Sequence, residues 1–144
     1  MKKIWITALI LTAILILAGC TADSDGIIEI QDRFFINQVN NITLNHNQYL
    51  GRTIRYEGIF RSSFSMITNE DIHIVYRYVP GCCGPEGIIG FIVDLGDFAP
   101  LATDAWVEVV GVLEEIEDSL GTRIQLSLTT LTELDERGDE MVHP

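Results

Sequence analysis

The chain has 144 residues, of which 21 are acidic and 9 are Lys or Arg, giving a formal net charge of -12 at pH 7. That length suits one domain with one core rather than several. Phosphate binding needs clustered positive charge, and the chain has no basic cluster, so its composition argues against nucleic acid and favours a solvated surface that anionic headgroups repel.

The chain opens with a short positive segment, Met1-Lys2-Lys3, and continues from Ile4 to Ala18 with apolar residues interrupted only by Thr7 and Thr12. This is the charge and hydropathy pattern of a secretory signal peptide. The apolar run falls short of the roughly 20 residues that a spanning helix needs. It ends in Leu17-Ala18-Gly19-Cys20, which resembles the lipobox of bacterial lipoproteins. The resemblance implies cleavage after residue 19, lipid on the Cys20 thiol and residence on the extracytoplasmic face of the cell membrane. Such a cysteine carries more than one acyl chain, as stable anchoring requires. The competing reading is an uncleaved anchor helix. Without residues 1–19 both lysines are gone, and 7 arginines face 21 acidic residues for a net charge of -14.

Residues 20–26 read as a polar tether and the folded domain as residues 27–134. From Gln31 to Leu50 the apolar residues Phe35, Val39, Ile42 and Tyr49 recur at helical spacing, predicting one helix or two short ones despite Asn40, Asn41, Asn45 and Asn47. Beyond Gly51 the period changes to two: Ile54, Tyr56 and Phe60 lie on one side, Arg55 and Glu57 on the other, with Gly58 where a bulge would bend the strand. Ile72, Ile74, Tyr76 and Tyr78 alternate with His73, Val75 and Arg77, predicting a strand whose Ile and Tyr side packs inward. Ile88–Val93, Trp106–Leu113 and Ile124–Thr129 complete five strands, with glycines at 90 and 111. Glu114, Glu115, Glu117 and Asp118 read as a solvated hairpin loop, and residues 135–144 as a loose acidic tail. The expected fold is mainly β: a small five-stranded barrel like the oligonucleotide/oligosaccharide-binding (OB) type, preceded by a short helical segment. A two-sheet sandwich is the alternative, because alternation fixes neither strand order nor closure.

The chemically unusual segment is Tyr76-Arg77-Tyr78-Val79-Pro80-Gly81-Cys82-Cys83-Gly84-Pro85-Glu86-Gly87. Cys82 and Cys83 admit three readings. As a structural element they are buried thiols or a vicinal disulfide, which is strained because neighbouring Cα atoms stand about 3.8 Å apart and disulfides favour roughly 4.4–6.8 Å. As a metal site they would hold zinc or copper(I), completed by His73, His46 or an acidic residue. As a thiol enzyme they lack a Cys-x-x-Cys helix terminus to activate a thiolate. His73 on an outward face reads first as a surface histidine and second as a ligand, and Arg77 as a partner for Glu86 or an acidic residue across the sheet. Tyr76, Tyr78 and Trp106 read as core before groove lining. No nucleophile triad, phosphate loop or His-Glu-x-x-His element is present.

Gly51-Arg-Thr-Ile-Arg-Tyr-Glu-Gly58, the aromatic-arginine strand leading into Cys82-Cys83, and Trp106-Val-Glu-Val-Val-Gly111 together resemble the C-terminal domain of YcgQ-type membrane proteins, over about residues 30–132. The arginine followed at a short interval by the cysteine pair is its most specific feature. Members follow the pair with small and acidic residues, and Gly84-Pro85-Glu86 stands here. The resemblance implies a barrel-like extracytoplasmic domain of unknown activity, associated with a permease and with small-solute or metal transport. The expectation is therefore a non-enzymatic binding or accessory lipoprotein, with a Cys82-Cys83 metal protein or a thiol-disulfide protein as alternatives.

Overall fold

The computed structural model describes residues 26–118 and 121–142. The expected signal peptide, Cys20 and nearly all of the tether lie outside the described residues. No helix among the described residues is long and apolar enough to cross a membrane.

A short strand β1 (Ile28–Glu29) leads through a 3-10 turn to helix α1 (Phe35–Leu44), and a second 3-10 turn (His46–Gln48) follows. Strands β2 (Thr53–Ser65), β3 (Glu70–Gly81), β4 (Gly84–Asp94), β5 (Trp106–Asp118) and β6 (Gly121–Glu133) follow. They close in the order β2-β3-β4-β6-β5 and back to β2, with β1 added to β2 in parallel. Only β4 and β6 are parallel within the ring, through Val93–Leu126 and Asp94–Ser127. The protein is a closed five-stranded mixed barrel of OB type with one extra strand and one short helix. Closure disposes of the sandwich alternative, since a single ring of paired strands contains all five long strands.

Closure depends on β2 serving two neighbours. Thr53 to Ile59 pairs with β5, and Ile59 to Ser65 pairs with β3. The exchange falls beside Gly58, where a Cβ would come within 2.8 Å of the Tyr76 carbonyl oxygen and 3.1 Å of Val75 Cγ1. The bend expected there is thus a change of partner, and the register shifts lie elsewhere, at Val79/Pro80 and Val110/Gly111. Gly90 serves the next curve: a Cβ there would overlap the Val75 carbonyl oxygen and stand 2.7 Å from Tyr76 Cα.

The main core joins barrel residues such as Ile54, Tyr56, Phe60, Val75, Phe91, Val109 and Leu126 with Phe35, Val39 and Ile42, the apolar stripe of α1. The helical spacing read from sequence is therefore the packing face. Tyr56 ties the layers together. Its hydroxyl donates to the Val75 carbonyl at 2.9 Å and accepts the Phe91 N–H at 3.3 Å, and its ring meets Phe35 and Phe91 edge-on. Complete burial pushes its phenol well above the ordinary tyrosine range.

Three local expectations change. Glu114 to Asp118 are not a loop: they continue β5, paired from Glu114–Gln125 to Asp118–Gly121. The Pro80–Gly87 segment is largely strand, with Pro80 opposite Pro85 and Gly81 opposite Gly84. Turn-forming residue types are accommodated because the hairpin continues beyond the last β2–β3 pair. At the C-terminus, Tyr78 N–H donates to Glu140 O and Val142 N–H to Tyr78 O, both within 2.9 Å, and Val142 is buried. That segment is held along the edge of β3.

Candidate functional site

Strand β3 carries His73, Tyr76, Arg77 and Tyr78, Cys82 and Cys83 follow in the turn after it, and His46 lies in the 3-10 turn before β2; the register of β3 decides what its residues can do. Phe60 stands opposite Val75, His73 opposite Val93 and Val75 opposite Phe91, so the His73, Val75 and Arg77 side of the strand faces the main core. This inverts the expectation from sequence. Ile74, Tyr76 and Tyr78 instead point to a second apolar cluster, where Tyr76 packs with Ile59 and Trp106 and is backed by Leu134. Two apolar faces on one strand make alternation ambiguous, and the polar members of the inner face settled the assignment wrongly. Tyr76 and Trp106 are core of this second cluster rather than groove lining.

Arg77 shows what the inversion means. It is only 2 % exposed, and its Nη1 lies 2.7 Å from Asp32 Oδ1 while its Nε donates to the Glu57 carbonyl at 2.8 Å. The guanidinium carbon sits 4.7 Å from the Phe35 ring centre and 5.0 Å from that of Trp106. A buried charge is tolerable only when paired and hydrogen-bonded, and the flat, weakly hydrated guanidinium can also lie against aromatic faces. The partner is thus Asp32 in the turn before α1, not Glu86. Arg77 fastens the helical entry to the barrel wall.

His73 lies four residues earlier on the same side, stacked on Phe60 with ring centres 5.8 Å apart and planes at 16°. Its Nδ1 is buried and has no hydrogen-bond partner among the described residues. It lines a groove of about 450 Å³ with Glu70 and Asp71 at the start of β3, Asp94 at the end of β4, and Arg123 and Gln125 on β6. Arg123 is held by Asp118, with Nη2 to Oδ2 at 2.6 Å and Nε to the same oxygen at 2.7 Å. Asp94 Oδ1 accepts the Gly96 N–H at 3.1 Å. Carboxylates therefore outnumber cations along the wall. In OB barrels the face of the second and third barrel strands, with the loops joining strands one to two and four to five, is where ligands sit, and the β3–β4 groove occupies that place.

Cys82 and Cys83 are at the other end of β3. They form the exposed turn between β3 and β4 as free thiols, with sulfur atoms 3.4 Å apart. Nine residues of strand, or roughly 30 Å at about 3.3 Å per residue, separate Cys82 from His73. The two cannot share an ion. His46 is engaged elsewhere, its Nε2 being 3.2 Å from Glu115. Among the described residues no three His, Cys, Asp or Glu side chains converge as a metal site. The structure brings the two thiols together and leaves the proposed third ligands apart.

The arginine and cysteine pair thus do different work on one strand: Arg77 is locked inside, and the cysteines emerge five residues later. A family model for the DUF1980 C-terminal domain matches residues 16–144. The chain belongs to that family. No curated protein and no solved structure matches it. As a DUF1980 C-terminal domain, the chain has a closed OB-type barrel as its fold. The groove at His73 was not legible beforehand because its walls come from β3, β4, β5 and β6. A single signal pointed to it: a histidine alternating with apolar residues on a strand with apolar residues on both faces.

Proposed function

We propose that this DUF1980-type protein is a lipid-anchored, extracytoplasmic binding module serving a permease, non-enzymatic, with its ligand held in the groove beside His73. The observation that carries the reading is the groove itself, at the binding face of an OB-type barrel, with a buried imidazole nitrogen in its wall that has no hydrogen-bond partner among the described residues. Glu70, Asp71 and Asp94 facing one already paired arginine favour a neutral or cationic polar solute over an anion. A compact polar ligand suits the volume. The lipobox-like Leu17–Cys20 supports the anchor, and the permease follows from the family resemblance.

Native mass spectrometry of the full-length protein, extracted from its own membrane in mild detergent, tests this reading. A bound solute should be seen in the parent and lost in Asp94→Asn with His73→Ala. Recovery of the protein in the soluble fraction, or a solute retained equally by that double variant, would overturn it.

A further inference from the structure

The connection between β3 and β4 consists of two residues, and both are cysteines. Gly81 pairs with Gly84, so nothing but Cys82 and Cys83 spans the turn. The turn is held from beneath: Glu86 Oε1 accepts the Cys82 N–H at 3.3 Å, and the Glu86 side chain lies where a Cβ on residue 81 would stand. The two sulfur atoms are thereby presented on one exposed tip, 3.4 Å apart.

Adjacent thiols can bond to each other or to a common third atom. The first course is disfavoured, since neighbouring Cα atoms across a trans peptide are about 3.8 Å apart, below the roughly 4.4–6.8 Å of ordinary disulfides. A disulfide between neighbours also closes almost no loop and gains little from the unfolded chain. For the second course the number of ligands decides the ion. Tetrahedral zinc needs four donors or three and a water; among the described residues no three His, Cys, Asp or Glu side chains converge as a metal site, and the Glu86 carboxylate is turned to the Cys82 N–H. Soft copper(I) favours thiolate sulfur and is satisfied by two donors.

We propose that Cys82 and Cys83 form a two-sulfur site for copper(I). The step balances without a redox partner: one copper(I) ion and two thiols give a copper dithiolate and two protons, and copper stays in its oxidation state. The site does not rest on the groove reading, because His73 lies at the far end of the strand.

The test uses full-length protein in detergent, reduced and kept under nitrogen, titrated with copper(I) against a chromogenic copper(I) chelator. One copper per chain should be retained, with two protons released and both thiols shielded from alkylation. Cys82→Ser with Cys83→Ser should weaken copper binding by more than the roughly 100-fold that losing a supporting group costs. His73→Ala should leave it unchanged. Copper passing wholly to the chelator overturns the proposal, as does a double variant that binds like the parent. Zinc held in preference to copper, weakened by His73→Ala, overturns it in favour of a larger site. Should the double variant misfold, parent protein alkylated at both thiols replaces it, and copper retained by that protein overturns the site equally.

Discussion

The middle of β3 and its tip are five residues apart and physically opposite. Arg77 is enclosed by an ion pair, a backbone carbonyl and two aromatic faces, whereas Cys82 and Cys83 stand in solvent with few contacts beyond each other and Glu86. A side chain with every contact satisfied stabilises the fold and is poorly placed to bind anything else. A thiol pair exposed on a turn contributes little to stability and is free to bind. Sequence oddity alone does not distinguish the two, since both stand in one short unusual segment; burial does.

The sharpest way to break this contrast is at Arg77. Arg77→Ala removes the packing against Phe35 and Trp106 together with the ion pair, and unfolding by denaturant should show a loss of about 3 kcal/mol, the upper part of the ordinary range for single substitutions. A loss comparable to that of an exposed arginine would mean that the guanidinium stabilises nothing. Gly90→Ala should follow at about 2 kcal/mol, because the added methyl meets the backbone of Val75 and Tyr76, which cannot rotate away. The same replacement at Gly87, where a Cβ has open space, is the control.

Alkali tests the apolar cluster on the outer face of β3. Burial, helped by the hydrogen-bonded Tyr78 hydroxyl 3.3 Å away, pushes the Tyr76 phenol up to about 12, and Arg61 over its ring offsets part of that rise. Below about pH 10 folded and unfolded chains both hold the proton, so this contribution to stability is fully present. Between about 10 and 12 the unfolded chain releases its proton first, and stability falls as pH rises. Tyr56 acts in the same direction. Denaturant midpoints across that range should drop less steeply in Tyr76→Phe than in the parent; equal slopes would place the Tyr76 hydroxyl in water.

Smaller effects complete the contrast. Asp32 is 71 % exposed, so screening limits its pair with Arg77, and Asp32→Asn should lose no more than about 1 kcal/mol. Cys82→Ser with Cys83→Ser should alter the unfolding free energy by under about 0.5 kcal/mol, as surface substitutions do. A large loss there would make the pair structural and erase the distinction between middle and tip.

Much of the fold was legible because it rests on local periodicity. Phe35, Val39 and Ile42 recur at helical spacing and are the buried stripe of α1; the five alternating segments are five barrel strands, each longer than its apolar part. The polar ends of those strands escaped notice because ladder pairing, which hydropathy does not register, carries Glu114 to Asp118 and the cysteine hairpin into regular structure. The sequence by itself determined that the chain makes a small β domain with a helical entry, and that two cysteines meet in a glycine and proline segment. Which face of β3 looks inward was decided only by tertiary structure. A strand with apolar residues on both sides satisfies alternation either way, and closure against β2 and β4, with Phe35 and Trp106 waiting for a cation, turned His73 and Arg77 in and Tyr76 out. The separation of His73 from the cysteines followed from the same register. Residues nine and ten positions apart on a strand could share a site only if the chain turned back between them, and β3 carries on from His73 to its tip.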